Sequence, residues 1–79
     1  MKATKIPVTM RAIVQRINRA LEPNDQVLRK VRGARAEQEL GEYYVLNFSR
    51  NYIVEKDVDP EMLARSLGVL SDAEAVVDR

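Results

Sequence analysis

The chain has 79 residues, of which 46% are hydrophobic and 32% charged, with a formal net charge of +1 and neither cysteine nor histidine. These values predict one folded domain over residues 1–79, because so short a chain builds a single core and its composition is that of globular proteins. They exclude disulfide bonds, cysteine and histidine metal sites, and nucleophiles that histidine activates.

The first predicted element is an amphipathic helix over residues 9–22. Its apolar side chains recur every three or four positions between Met10 and Leu21. Thr9 is expected to cap the free N–H groups at its start, and Pro23 lies in the segment that ends it.

A first strand is expected over residues 27–32. Residues 34–40 are expected to form a loop, because they lie between two glycines and are too few to make a stable helix alone. Residues 42–48 and 52–56 are rich in aromatic and β-branched side chains, which predicts a hairpin.

The length of the hairpin loop decides which side chains share a face. A three-residue loop at 49–51, with Asn51 in the left-handed region, pairs Phe48 with Tyr52. One apolar face then carries Tyr44, Leu46, Phe48, Tyr52 and Val54. The opposite face carries Tyr43, Val45, Asn47, Ile53 and Glu55.

The C-terminal third predicts two helices. Asp59 caps the first, Gly68 closes it, and its buried stripe is expected to be Met62, Leu63, Ser66 and Leu67. A capping box from Ser71 to Glu74 is expected to open a short last helix over residues 72–77. The order α-β-β-β-α-α predicts an α+β fold, in which helices pack on one face of a three-stranded antiparallel sheet.

Charge is divided unevenly along the chain. Residues 1–35 carry nine basic and two acidic side chains, a net +7, whereas residues 36–79 carry four basic and ten acidic ones, a net −6. If the fold keeps these halves apart, one surface attracts phosphate and another attracts a basic protein. If the halves interleave, their charges neutralise each other.

The residue types argue against catalysis. The serines have no histidine to activate them, and the three isolated glycines form no phosphate-binding loop. Glu55, Asp57 and Asp59 alternate along the chain and are chemically suited to magnesium or calcium, but a solvated strand end with a helix cap is the favoured interpretation. We therefore expect a non-enzymatic binding protein without cofactor or metal.

Basic side chains, mostly arginine, are the strongest feature of the N-terminal half. Arginine suits bidentate contacts to phosphate, and Tyr43 offers a stacking platform for a base. No nucleic-acid-binding motif accompanies them, and the net charge is low for such a protein. Nucleic-acid binding is thus the alternative function, through Arg11, Arg16, Arg19, Arg29, Lys30, Arg32 and Arg35.

Acidic side chains around the hairpin favour a protein interface. An apolar patch supplies affinity there, and an acidic rim steers a basic partner; Tyr43 raises this expectation because tyrosine is enriched at hot spots. An ordinary solvated surface is the other interpretation. The predicted partner-binding residues are Glu37, Glu39, Glu42, Tyr43, Val45, Ile53, Glu55 and Asp57.

Four segments carry a resemblance to known proteins. Residues 7–18, 32–35, 40–45 and 63–70 are similar to small proteins carried on phages and other mobile elements of proteobacteria. Some small proteins of such elements are anti-CRISPRs, which bind an RNA-guided type I surveillance complex and stop it from targeting foreign DNA. The resemblance therefore implies an inhibitor whose partner has a basic surface, since the DNA path of such complexes is lined with lysine and arginine. No site residue is carried over from it.

The sequence also bears on location and assembly. It shows no secretion signal and no run of about 20 apolar residues, so a cytoplasmic protein without membrane contact is expected. A core of this size seldom supplies more than about 3 to 5 kcal/mol, which favours a monomer or a weak homodimer.

Overall fold

The computed structural model describes residues 5–78 and has an α+β fold with two sheets. In chain order the elements are β1 (Ile6–Val8), α1 (Met10–Leu21), a 3-10 helix (Glu22–Asn24), β2 (Gln26–Lys30), α2 (Ala34–Leu40), β3 (Tyr43–Asn47), β4 (Tyr52–Glu55), α3 (Pro60–Ser66) and β5 (Glu74–Val76). The predicted antiparallel sheet is confirmed, with the order β2-β3-β4. A second, parallel sheet joins β1 to β5 and was not predicted.

The first helix begins and packs as its sequence predicts. Thr9 is extended, and its hydroxyl accepts the Ala12 N–H at 3.1 Å. The helix packs against β2 and α3 and supplies three side chains to a continuous core. The buried core cluster consists of Val8, Ile13, Ile17, Leu21, Leu28, Tyr43, Val45, Val58, Ala64 and Leu70.

The hairpin register differs by one residue from the predicted one. Tyr52 pairs with Asn47, not with Phe48, and the turn spans four residues, 48–51. The Asn47 side chain accepts the Arg50 N–H at 2.8 Å inside this turn, and Asn51 has the predicted positive φ of 57°. The slip moves Tyr52 to the face of Asn47 and Ile53 to the face of Leu46, so the predicted faces are wrong for these two residues. Glu55 keeps its predicted place opposite Val45.

The observed faces of β3 follow from that register. Tyr43, Val45 and Asn47 are buried, whereas Tyr44 and Leu46 are only partly covered on the other face. β4 is exposed along its whole length. Val54 is the extra residue of a β-bulge there, since Val45 pairs with Glu55 and Leu46 with Ile53.

Residues 34–40 form helix α2, so the predicted loop is wrong. The Glu37 N–H donates to the Gly33 carbonyl at 3.0 Å, and the Gly41 N–H donates to the Glu37 carbonyl at 2.8 Å. The flanking glycines were expected to break this segment. They bound a short helix instead, because each takes a positive φ at its end.

Helix α3 starts and ends as predicted. The Asp59 side chain accepts the Glu61 N–H at 3.0 Å, and Gly68 follows the helix with φ +75°. Its buried residues are Pro60 and Ala64, whereas Met62, which was predicted to be buried, is 70% exposed. Ser66 and Leu67 are exposed as well, and Leu63 is half-buried. The predicted stripe is therefore wrong for Met62, Ser66 and Leu67, because α3 turns its Ala64 side toward the core.

The last predicted helix is the strand β5. The side-chain contact of the capping box does form, with the Ser71 N–H donating to the Glu74 carboxylate at 3.0 Å. The chain then extends and pairs with β1, placing Glu74 opposite Ile6. Arg65 donates to the Ser71 and Glu74 carbonyls at 3.0 and 3.2 Å. These bonds from distant residues hold the segment extended and override its local preference for helix.

Candidate functional site

Two of the predicted partner-binding residues lie inside the molecule. Tyr43 is 8% exposed and Val45 is 5% exposed, and both belong to the hydrophobic core. The prediction that they form a surface patch is wrong, because this face of β3 packs into the core that α1 shares. Ile53 is 42% exposed and lies opposite Leu46, on the other face of the sheet.

The acidic residues of two separate stretches meet where α2 ends. The Asp57 N–H donates to the Leu40 carbonyl at 2.6 Å. A Cβ atom on Gly41 would lie 2.7 Å from the Asp57 Cα, so the two backbones are in direct contact. Leu40 and Gly41 are flanked by Glu39 and Glu42, and these acids therefore lie beside Asp57.

The predicted carboxylates are all available to a partner. Glu37, Glu39, Glu42, Glu55 and Asp57 are exposed. Within residues 5–78 none of them forms an ion pair. Asp57 has φ 56°, a left-handed conformation that Asp tolerates better than most residues, and it turns the chain from β4 toward α3.

A groove runs between the end of β4 and α3. Its volume is about 370 Å³. Its lining residues are Glu55, Asp57, Val58, Asp59, Met62, Leu63 and Ser66. Asp59 caps α3, so Glu55 and Asp57 form the acidic rim, and the exposed Met62 provides an apolar contact. We call this the acidic groove.

The acidic groove combines an apolar contact with an acidic rim, as the sequence predicted, but at a different position in the fold. An apolar patch beside acidic side chains was expected around Tyr43 and Val45, but Met62 and Leu63 supply it. Little in the sequence indicated that Met62 would be exposed. Pro60 and Ala64 are four residues apart and both buried, yet periodicity alone favoured the larger Met62 for the core.

The predicted basic residues do not form one surface. Arg16 is committed to the fold: its guanidinium donates to the Glu74 carboxylate at 2.9 and 3.1 Å and to the Val69 carbonyl at 3.1 Å. Arg11 and Arg19 are exposed on α1. The basic residues of β2 and of the segment after it lie elsewhere, around a second groove.

The second groove is bounded by β2, β3 and α2 and has a volume of about 500 Å³. Its lining residues are Arg29, Lys30, Val31, Arg32, Ala36, Leu40 and Tyr44. Arg29 lies directly opposite Tyr44 in the strand register. The aromatic residue beside the basic side chains is therefore Tyr44, and not Tyr43, which was predicted for this role but is buried. Arg35 is exposed on α2 but does not line this groove. We call this the basic groove.

Within residues 5–78, a shifted pKa belongs to the fold and not to either groove. The Ser71 N–H and then the Arg16 guanidinium stabilise the charged Glu74 and lower the pKa of its carboxyl group. Residues 5–78 contain no group of three acidic side chains placed to hold a metal ion. In the same part of the chain, no helix is long and apolar enough to cross a membrane.

In comparisons with known proteins, no protein-family model matches the chain, and no curated protein or solved structure shows significant similarity to it.

Proposed function

We propose that this protein is a non-enzymatic binding protein that holds a basic segment of a partner protein in the acidic groove. The observation that carries the proposal is the exposed Met62 beside Glu55 and Asp57, at the point where acids from two stretches of the chain converge. Apolar contacts supply affinity in such an interface. The carboxylates speed encounter with lysine and arginine and disfavour acidic partners.

Within this class, the proposed function is that of an anti-CRISPR. The partner is then a type I RNA-guided surveillance complex, and binding stops it from engaging DNA. Two arguments support this choice. From the sequence we infer a resemblance of four segments to proteins of mobile elements, and five exposed carboxylates have the right sign for a lysine- and arginine-lined DNA path.

The test is a binding titration with a purified type I surveillance complex. The first variant combines Glu42→Lys, Glu55→Lys and Asp57→Asn, where asparagine keeps the left-handed backbone at position 57. It should abolish binding, mainly through a slower association, while its melting temperature stays close to that of the parent. Met62→Ala should instead speed dissociation.

The control is Glu22→Lys, which changes an exposed acid outside the acidic groove. It should leave binding within about twofold, since a surface charge away from the interface contributes little. Equal losses in the control and the triple variant would overturn the acidic groove as the site.

An arginine-rich peptide separates the general proposal from the specific one. If the peptide binds and the triple variant loses it while the surveillance complex does not bind at all, the groove stands and the anti-CRISPR function falls. If neither binds, both fall.

A further inference from the structure

The basic groove lies on the sheet face that the helices α1 and α3 leave uncovered. Leu28 and Val45 are paired across β2 and β3 and are buried in the core with α1. Successive side chains on a strand alternate between faces, so the next pair, Arg29 and Tyr44, lies on the opposite side. α2 forms the far wall of the groove with Ala36 and Leu40.

The cations of this groove are not used to hold the fold. Arg16 and Arg65 each bind a carboxylate and at least one backbone carbonyl that lies outside their own helices, although the Arg65 ion pair with Glu61 lies within α3. Arg29, Lys30 and Arg32 are different, because no ion pair engages them within the part of the chain that the structure describes. Arg29, Lys30 and Arg32 are solvent-exposed. Their charge is therefore free to act on a ligand.

The groove combines those cations with an aromatic wall. Tyr44 is half-buried, with its neighbour Leu46 behind it on the same face. Directly opposed residues of an antiparallel pair have Cβ atoms about 5 Å apart, so Arg29 lies within reach of anything that contacts the Tyr44 ring. A base stacked on Tyr44 would place its phosphates beside Arg29, and Lys30 and Arg32 line the same groove.

We propose that the basic groove binds single-stranded nucleic acid, with Tyr44 stacking on a base and Arg29, Lys30 and Arg32 contacting phosphates. This goes beyond the proposed function and uses none of the residues of the acidic groove.

A single strand fits these features better than a duplex does. A stacking platform needs an unpaired base, which a duplex does not offer. The groove is a concave feature bounded by β2, β3 and α2, whereas a reader of duplex DNA presents a projecting helix or β-ribbon to the major groove. The remaining exposed arginines of α1, Arg11 and Arg19, lie in the helix layer on the other face of the sheet and cannot extend its phosphate track.

Fluorescence anisotropy with labelled 12-nucleotide strands tests the proposal. The probes are oligothymidine, oligouridine and a 12-base-pair DNA duplex, each titrated with the full chain at 50 and 200 mM salt. Both single strands should bind more tightly than the duplex. Three phosphate contacts give a salt slope of about 2, so the fourfold rise in salt should weaken binding roughly 20-fold.

The variants separate stacking from charge. Arg29→Gln should weaken binding and lower the salt slope by about 0.7. Tyr44→Leu keeps an apolar side chain on the sheet and should weaken binding by about 5- to 150-fold with the slope unchanged. Arg11→Gln removes the same charge as Arg29→Gln but from α1, and should leave both quantities as they are.

Three results would overturn the proposal. One is the absence of binding to either single strand at 50 mM salt. Another is an equal loss from Arg29→Gln and Arg11→Gln, which would indicate attraction to overall charge alone. The third is tighter binding of the duplex. Should Tyr44→Leu fail to fold, the pair of arginine variants decides the question, because both arginines are exposed.

Discussion

Replacing Gly41 by alanine should damage both the fold and the placement of Glu39 and Glu42 beside Asp57. Gly41 has φ +78° and ψ −165°, a combination that is essentially restricted to glycine and costs other residues about 1 to 3 kcal/mol. The added Cβ would also lie 2.7 Å from the Asp57 Cα, whereas carbon atoms in good contact are about 3.5 to 4.0 Å apart. The two backbones would have to separate by about 1 Å.

That separation acts on a short hydrogen bond. The Asp57 N–H donates to the Leu40 carbonyl at 2.6 Å, and losing such a bond costs about 0.5 to 1.5 kcal/mol net. Together with the backbone strain, Gly41→Ala should destabilise the protein by about 2 to 4 kcal/mol. A small core supplies only about 3 to 5 kcal/mol, so most of the stability is at stake.

Gly68→Ala is the matched control. Gly68 also has a positive φ, +75°, but a Cβ there meets nothing within 4 Å. Alanine in that conformation costs about 1 to 2 kcal/mol from backbone strain alone. Urea unfolding of the parent and both variants, followed by circular dichroism, should place Gly41→Ala at the lowest midpoint. Equal midpoints for the two variants would refute the close approach of Gly41 to Asp57 as the cause.

Two further predictions concern single side chains that hold the fold. The lowered pKa of Glu74 means that its stabilising contribution is complete above the ordinary glutamate pKa and is lost as the pH falls through the lower folded value. Glu74→Gln should therefore reduce the fall of the urea midpoint with pH between pH 7 and 2. Asp72→Asn, at an exposed position, should leave that fall nearly unchanged. An unaltered fall in Glu74→Gln would contradict the assigned contacts. Thr9→Ala removes the cap of α1 and should lower the free energy of unfolding by about 1 kcal/mol. Thr9→Ser should keep nearly all of that stability in the same unfolding assay. Equal losses in both variants would show that the hydroxyl is not the cap.

The candidate sites were only half predictable from sequence. The sign of the charge in each groove could be predicted by counting charged residues along the chain, because charged side chains are seldom buried. Which apolar or aromatic side chains accompany those charges depends on strand register and on which side of a short helix is buried. Tyr43 and Tyr44 are adjacent and chemically identical, yet the first lies in the core and the second in the basic groove.

Local chemistry was enough wherever an element is stabilised by its own neighbours. Helix α1 follows from the spacing of its apolar residues and from the hydroxyl of Thr9. The start of α3 follows from Asp59 and Pro60 in the same way. In each case the interactions that favour the structure join residues no more than four positions apart, so a sequence window contains them.

Tertiary structure decided the elements whose partners are distant in sequence. Residues 74–76 carry a local signal for helix, but β1, Arg16 and Arg65 supply hydrogen bonds and a parallel strand that only the folded chain brings near. The hairpin register follows the four-residue turn at 48–51, and the burial of Tyr43 and Val45 in the core fixes which face of β3 turns inward. The backbone contact between Gly41 and Asp57 places Glu39 and Glu42 beside Asp57. The two residues are too far apart in the chain for a local sequence pattern to predict their contact.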